Sequence, residues 1–220
     1  HIMYAERQIQ GGGRVEFDTL DTTRVSGKDI FDFPAAVSRM VYPAADIPWR
    51  PGAVIIAPAD CFQYAEAAAP LIHFPYNGPI LLTDPGYLPR ATAIELARLG
   101  PTGAGFDQKA LPAEVILVGP VSAAVEHRVR QMGFTTFRLG SDDPFETAAD
   151  VARHRLQVDR ARGAPARDVM IVSGESHEEA LCAPAFAAHH GTPILLVTRD
   201  EVPEPAIGLI RDEGDLNLHI

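Results

Sequence analysis

The sequence is poor in cysteine, in long apolar runs and in basic charge, and each shortage removes a class of protein. Cys61 and Cys182 are the only cysteines among 220 residues. Two thiols so far apart make no disulfide framework, so both read as free, buried or half-buried side chains. The longest apolar stretches, such as AVIIAPA at 53–59, fall far short of the ~20 residues of a membrane-crossing helix, and no span is expected. A formal net charge of −10 disfavours nucleic acid as a partner, since phosphate neutralisation needs a basic face.

Signatures of metal and cofactor chemistry are also missing. His73, His127 and His154 are scattered, and the adjacent His189 and His190 point in different directions on a helix, unlike an i, i+4 zinc pair. SGKD at 26–29 has Thr22 where a phosphate loop needs its first glycine, and Asp29 where it needs Ser or Thr. GPTGAG at 100–105 follows a helical pattern, not a strand, so it reads as a loop and not a dinucleotide fingerprint. No metal and no cofactor are expected.

What is present is a rhythm of short apolar runs: VIIAP, PILLT, VILVGP, VMIVSG and PILLV. Runs without polar alternation suit strands buried on both faces. Helical segments stand between them. Val121, Ala124, Val125, Val129 and Met132 share one helical face, with Ser122 as cap and Gly133 as terminator; Phe145, Ala148, Ala149, Ala152 and Leu156 share another. Alternation of this kind predicts an α/β fold with a parallel, Rossmann-like sheet and flanking helices.

The rhythm is written twice. Pro79, Ile80, Leu81, Leu82 and Pro89 recur as Pro193, Ile194, Leu195, Leu196 and Pro203, always 114 residues on. At the same offset Arg24, Asp29, Phe31, Ala35 and Val37 fall on Arg138, Asp143, Phe145, Ala149 and Val151, and Pro70 falls on Pro184. The chain therefore reads as tandem copies of one unit. A tag remnant (His1, Ile2, Met3) and a glycine-rich lead-in, with a strand near RVEFDTL, occupy 1–23; copy one occupies 24–137 and copy two 138–220. DLNLHI at the end aligns with AEVILV at 113–118 if PTGAGFDQKALP is an insertion in the first copy. On that alignment copy two stops one helix early: either the sequence is cut there, or the other copy or a partner chain supplies that helix.

RLGSDDPFETAADVA and VSGESHEEALCAPAFAAHHGTPILLVTRDEVP resemble the cell-wall-binding repeat 2 family of bacterial surface proteins. The likeness runs from about residue 24 to 220. Two positions depart from the family pattern: Ile30 and Pro144 stand where its opening motif carries Arg, and the glycine is Gly27 in one copy but Gly140 followed by Ser141 in the other. The resemblance implies an extracellular or cell-surface location and non-covalent attachment to an anionic wall polymer, without catalysis.

Candidate ligand contacts follow. Arg24 and Arg138 open the copies, and Arg153, Arg155, Arg160, Arg162 and Arg167 form a cationic run able to pair with phosphate or carboxylate, or to stand as a solvated helix end. Ser173, Glu175, Ser176 and His177 lie just past a strand, where open α/β sheets bind ligands. Neighbouring Ser176 and His177 cannot act as nucleophile and base, and the favoured reading of Ser176 is a helix cap. This loop sustains an alternative reading as a hydrolase or nucleotide-binding enzyme. A structural spacer that self-associates is a further alternative.

Overall fold

The computed structural model describes residues 14–17, 23–43 and 50–220. Residues 1–3, expected to be a tag remnant, and the glycine run at 11–13 lie outside these residues. Strands β1 (Arg14–Phe17) and β2 (Thr23–Ser26) form an antiparallel ribbon, so the expected lead-in strand is present. A four-stranded parallel sheet follows, built from β3 (Val54–Pro58), β4 (Ile80–Thr83), β5 (Val115–Val118) and β6 (Thr136–Leu139) in the order β4-β3-β5-β6. A second parallel sheet holds β7 (Asp168–Ser173), β8 (Ile194–Val197) and β9 (Asn217–His219) in the order β8-β7-β9. The parallel α/β architecture is as the apolar runs implied.

Helices α1 (Asp32–Val41), α2 (Phe62–Ala68), α3 (Arg90–Leu99), α4 (Ala123–Gln131) and α5 (Pro144–Ala161) precede β7. Helices α6 (His177–Ala180), α7 (Ala183–His190) and α8 (Glu204–Glu213) come after it. Strand side chains alternate between two layers. Val54, Ile56, Leu81, Val115 and Leu117 pack with α3 and α4, whereas Ala53, Ile55, Ile116 and Val118 pack with α2, Tyr76 and Val151 of α5. Local signals behaved as expected: the Ser122 hydroxyl accepts the Val125 N–H at the start of α4, and Val125 and Val129 are buried, though Ala124 is exposed.

The two halves repeat their order, with differences the sequence offset did not show. Asp143 caps α5, its carboxylate accepting the Phe145 and Glu146 N–H groups, and Asp29 accepts the equivalent Phe31 and Asp32 N–H groups, although α1 itself begins only at Asp32. Helices α3 and α8 stand 114 residues apart, as do β4 and β8. At the central strand the offset shifts by one, because Ile55 lies opposite Ile80 but Met170 lies opposite Ile194. Ile55 also faces Ile116 while Met170 faces His219, so the counterpart of Ile116 is His219 and not Leu218. The alignment of DLNLHI on AEVILV is thus one residue out, and a one-residue shift moves every side chain to the other face of a strand.

The opening strands also part company. β6, which carries Arg138, is the last strand of the first sheet, parallel to β5. Its counterpart β2 is instead paired antiparallel with β1. Gly140, just after β6, has φ +84 and would drive a Cβ to 2.4 Å from Thr147, a clash that fixes the residue type at this turn. The halves meet along α2 and α5, where Ala67 and Ala69 join Ala148, Val172, Ile194 and Leu196 in one buried cluster.

Candidate functional site

The cationic run lies on α5 and the linker after it, and most of its charges are engaged. Arg155 is buried: it pairs with Asp159 at 2.8 Å and donates to the carbonyls of Gly191 at 3.1 Å and Phe74 at 2.5 Å. It joins the two halves, so its expected role as a ligand contact is corrected to that of a strut. Arg162 is likewise mostly covered, held by Asp107 at 3.0 Å with its guanidinium over the Phe74 ring.

The other arginines are at the surface. Arg153 pairs with Asp150 at 2.9 Å, Arg160 with Glu213 at 2.5 Å and Arg167 with Asp215. Arg138 pairs with Glu126 at 2.6 Å and donates to the Val121 carbonyl. Arg24 is exposed on β2, in register with Glu16. The carboxylates Asp107, Glu213 and Asp215 are remote in sequence from the arginines they neutralise, and only the strong acidic balance of the chain hinted that such partners exist.

The second candidate, at the carboxyl end of β7, is built around residues that the sequence reading missed. Ser173 ends β7 and its hydroxyl accepts the Glu175 N–H; Glu175 in turn accepts the Arg199 N–H at 2.7 Å. Ser176 bonds Glu178 at 3.2 Å and its carbonyl accepts the Ala180 N–H, which is the geometry of a helix start. Neither serine hydroxyl is bonded to His177 in these contacts. His177 turns instead toward α2, with its Nδ1 3.6 Å from Glu66 and its ring edge-on to Phe62 at 5.2 Å. Gln63 ties the same helix to the loop by donating to the Gly174 carbonyl at 2.9 Å. A Cβ on Gly174 would come within 2.9 Å of the Phe145 ring, so a glycine is what lets α5 close on this loop.

Glu66 is the chemically unusual member. It is buried, and neither carboxylate oxygen has a hydrogen-bond partner among the described residues. Burial pushes its pKa up to about 7, with protonated His177 pulling the other way. The only sequence signal for it is a lone acid in the apolar segment CFQYAEAAAPLI at 61–72. Nearby, Cys61 is half-buried and bonded to Gln63, whereas Cys182 is exposed, which corrects the expectation that both thiols are covered. Two concavities among the described residues, of about 150 Å³ and 300 Å³, lie elsewhere, one beside Arg50 and Phe106 and one beside α1.

His189 and His190 contact one another edge-on at the end of α7, before Gly191 with its φ of +71. No group of three or more potential metal ligands occurs among the described residues. No helix among them is long and apolar enough to cross a membrane.

Comparison with known proteins agrees with this architecture. The chain is 26% identical over 165 residues to an amidase enhancer of Bacillus subtilis (strain 168), covering 73% of this chain and 20% of that protein. It is 25% identical over 194 residues to the N-acetylmuramoyl-L-alanine amidase LytC of the same organism, covering 87% of this chain and 34% of that protein. The chain therefore spans about a fifth and about a third of the length of these relatives. Among solved structures, Cwp6 from Clostridium difficile superposes with a TM-score of 0.70 at 20% identity, over 96% of this chain and 32% of that one. The model of cell wall binding domain 2 (CWB2) matches residues 138–211, the second half of the chain, and assigns that segment to the CWB2 family.

Proposed function

We propose that this chain is a non-catalytic attachment module of the bacterial cell surface, held non-covalently on an anionic wall polymer. The observation that carries the reading is the family match at residues 138–211. Both relatives with a role in their names are an amidase and an amidase enhancer, and the chain spans only a minor part of each. The shared segment then supplies attachment, and the chemistry belongs to the remainder of those proteins.

The contacts for the polymer are the exposed arginines Arg24, Arg138, Arg153, Arg160 and Arg167. Four of them hold surface carboxylates, and such pairs are worth only about 0–1 kcal/mol. A polyanion that offers charges in series can take their place, and several weak contacts on one chain raise avidity. Retention of the purified protein on wall polymer across a salt series tests this. Retention should fall as salt rises and should be lost in the triple variant Arg153→Ala, Arg160→Ala, Arg167→Ala, with circular dichroism unchanged. Full retention by that variant would remove these arginines from the reading.

A second reading, a hydrolase with its site at the 173–177 loop, is favoured by one observation, the buried Glu66 behind the exposed His177. A carboxylate that orients an imidazole is a common acid–base arrangement. Soluble fragments released from the same wall material, and abolished by His177→Ala, would favour this reading over attachment.

A further inference from the structure

Glu66 is closed off from water beneath a segment that has little else to hold it. Its side chain is 6% exposed, and neither carboxylate oxygen meets a donor among the described residues. Facing it is His177, whose Nδ1 is 3.6 Å away and whose ring stands edge-on to Phe62. His177 begins α6, within a segment, 174–182, whose Glu175, His177, Glu178, Leu181 and Cys182 are exposed. The segment is docked by Gln63, which donates to the Gly174 carbonyl at 2.9 Å, by Glu175, which accepts the Arg199 N–H at 2.7 Å, and by Ala180, buried in one cluster with Ala67 and Ala69. A segment that buries so little can open locally while the rest of the fold stays closed.

Little around Glu66 can offset its charge. The elements packed on α2 meet it with apolar residues: β3, β5 and the turn at 69–72 are apolar throughout, and α5, α7 and β8 join it through Ala148, Ala187, Ile194 and Leu196. Asp60 and the Cys61 thiol, at the start of its own helix, bring no positive charge, and Asp142 and Asp143 bear on Tyr64. On the segment itself, Glu175 holds the Arg199 N–H and Glu178 bonds the Ser176 hydroxyl. Among the described residues, His177 is the charge that bears on Glu66. An ionised Glu66 under the docked segment is a poorly compensated charge in apolar cover, whereas a protonated one is neutral and able to donate to the imidazole. Lifting the segment lets water solvate the carboxylate and removes the penalty.

We propose that residues 174–182 form a proton-gated flap, docked on α2 while Glu66 carries its proton and lifted when the proton leaves, so that the carboxyl end of β7 opens to solvent. Burial raises the Glu66 pKa from 4.5 to about 7 in the docked form. Docking therefore takes up a proton: the closed form is favoured in weakly acidic solution and loses ground as pH rises through 7. The flap is independent of the attachment and hydrolase readings, because it governs access to the strand end and not the chemistry there.

Amide hydrogen exchange of the full chain from about pH 6 to about pH 9, corrected for the intrinsic exchange rate, tests this. Protection of 174–182 should fall by up to ~10-fold per pH unit above 7, while the amides of β3 stay protected. Glu66→Gln keeps the shape of the side chain and removes its titration, so in that variant the segment should hold its acidic-side protection across the range. In the wild type the carboxyl carbon signal of Glu66 should titrate with the midpoint at which the segment loses protection, a check that needs no variant. Protection of 174–182 that is independent of pH in the wild type would overturn the proposal. So would an equal loss in Glu66→Gln, which would assign the change to His177 or to another group, or a Glu66 midpoint near the ordinary 4.5.

Discussion

Glu66 and His154 are buried ionisable groups with opposite effects on the pH dependence of stability. Burial raises the Glu66 pKa to about 7, so between about 4.5 and 7 the folded protein binds more protons there than the unfolded chain, and stability falls as pH rises through that window. Burial, with Arg155 beside it, lowers the His154 pKa to about 4. Below about 6.5 the unfolded chain binds the extra proton, and stability falls as pH drops toward 4. The two slopes oppose each other in weakly acidic solution. Glu66→Gln removes one of them: at pH 8 the variant should be more stable than the wild type by about 1–3 kcal/mol, and the gain should vanish near pH 4.5. Urea unfolding at a series of pH values checks this, and a gain that is independent of pH would mean that Glu66 is not titrating.

At the scale of elements, α5 is the member through which most of the structure is braced. Its Arg155 reaches back to the Phe74 carbonyl and forward to the Gly191 carbonyl while holding Asp159. Arg155→Met should cost about 3–5 kcal/mol, since it strands a buried carboxylate and two carbonyls. Adding Asp159→Asn should restore part of that loss, because a buried pair is cheaper to remove than to break. Denaturation midpoints of the single and double variants measure both effects, and an additive double variant would show that the pair is not coupled.

The strands written as apolar runs, the cap at Ser122 and the face of α5 could be read from local pattern, because period and capping are local properties; β6, with its sequence TFRL, carries no such run and could not. The one-residue shift at β7 could not, since register is settled by pairing between strands. Glu66 beside His177 and Asp107 beside Arg162 were hidden for the same reason: each pair joins residues from different halves. Arg155 looked like its neighbours in the run, and only the packing of α5 on the first half buries it.

For the whole molecule, the shared cluster of Ala67, Ala69, Ala148, Ile194 and Leu196 and the Arg155 strut make each half part of the other's core. The two sheets should therefore unfold together. Calorimetry should give a single transition whose calorimetric and van't Hoff enthalpies agree. Two resolved transitions would show that the halves are thermodynamically separate and that the contact along α2 and α5 is weak.

The loop between α3 and β5 brings Asp107 to Arg162, and it exists in the first half alone. A chain that writes Ile-Leu-Leu at both 80–82 and 194–196 offers each central strand two nearly interchangeable neighbours while it folds, and mis-seated pairing is a characteristic hazard of repeated sequences. The strands themselves carry little to tell the two apart. If β8 took the place of β4, the segment beyond it would run through α8 directly into β9 and bring no partner to Arg162. The added loop thus works as a mark of identity: its acid meets its arginine when each half has kept its own strands.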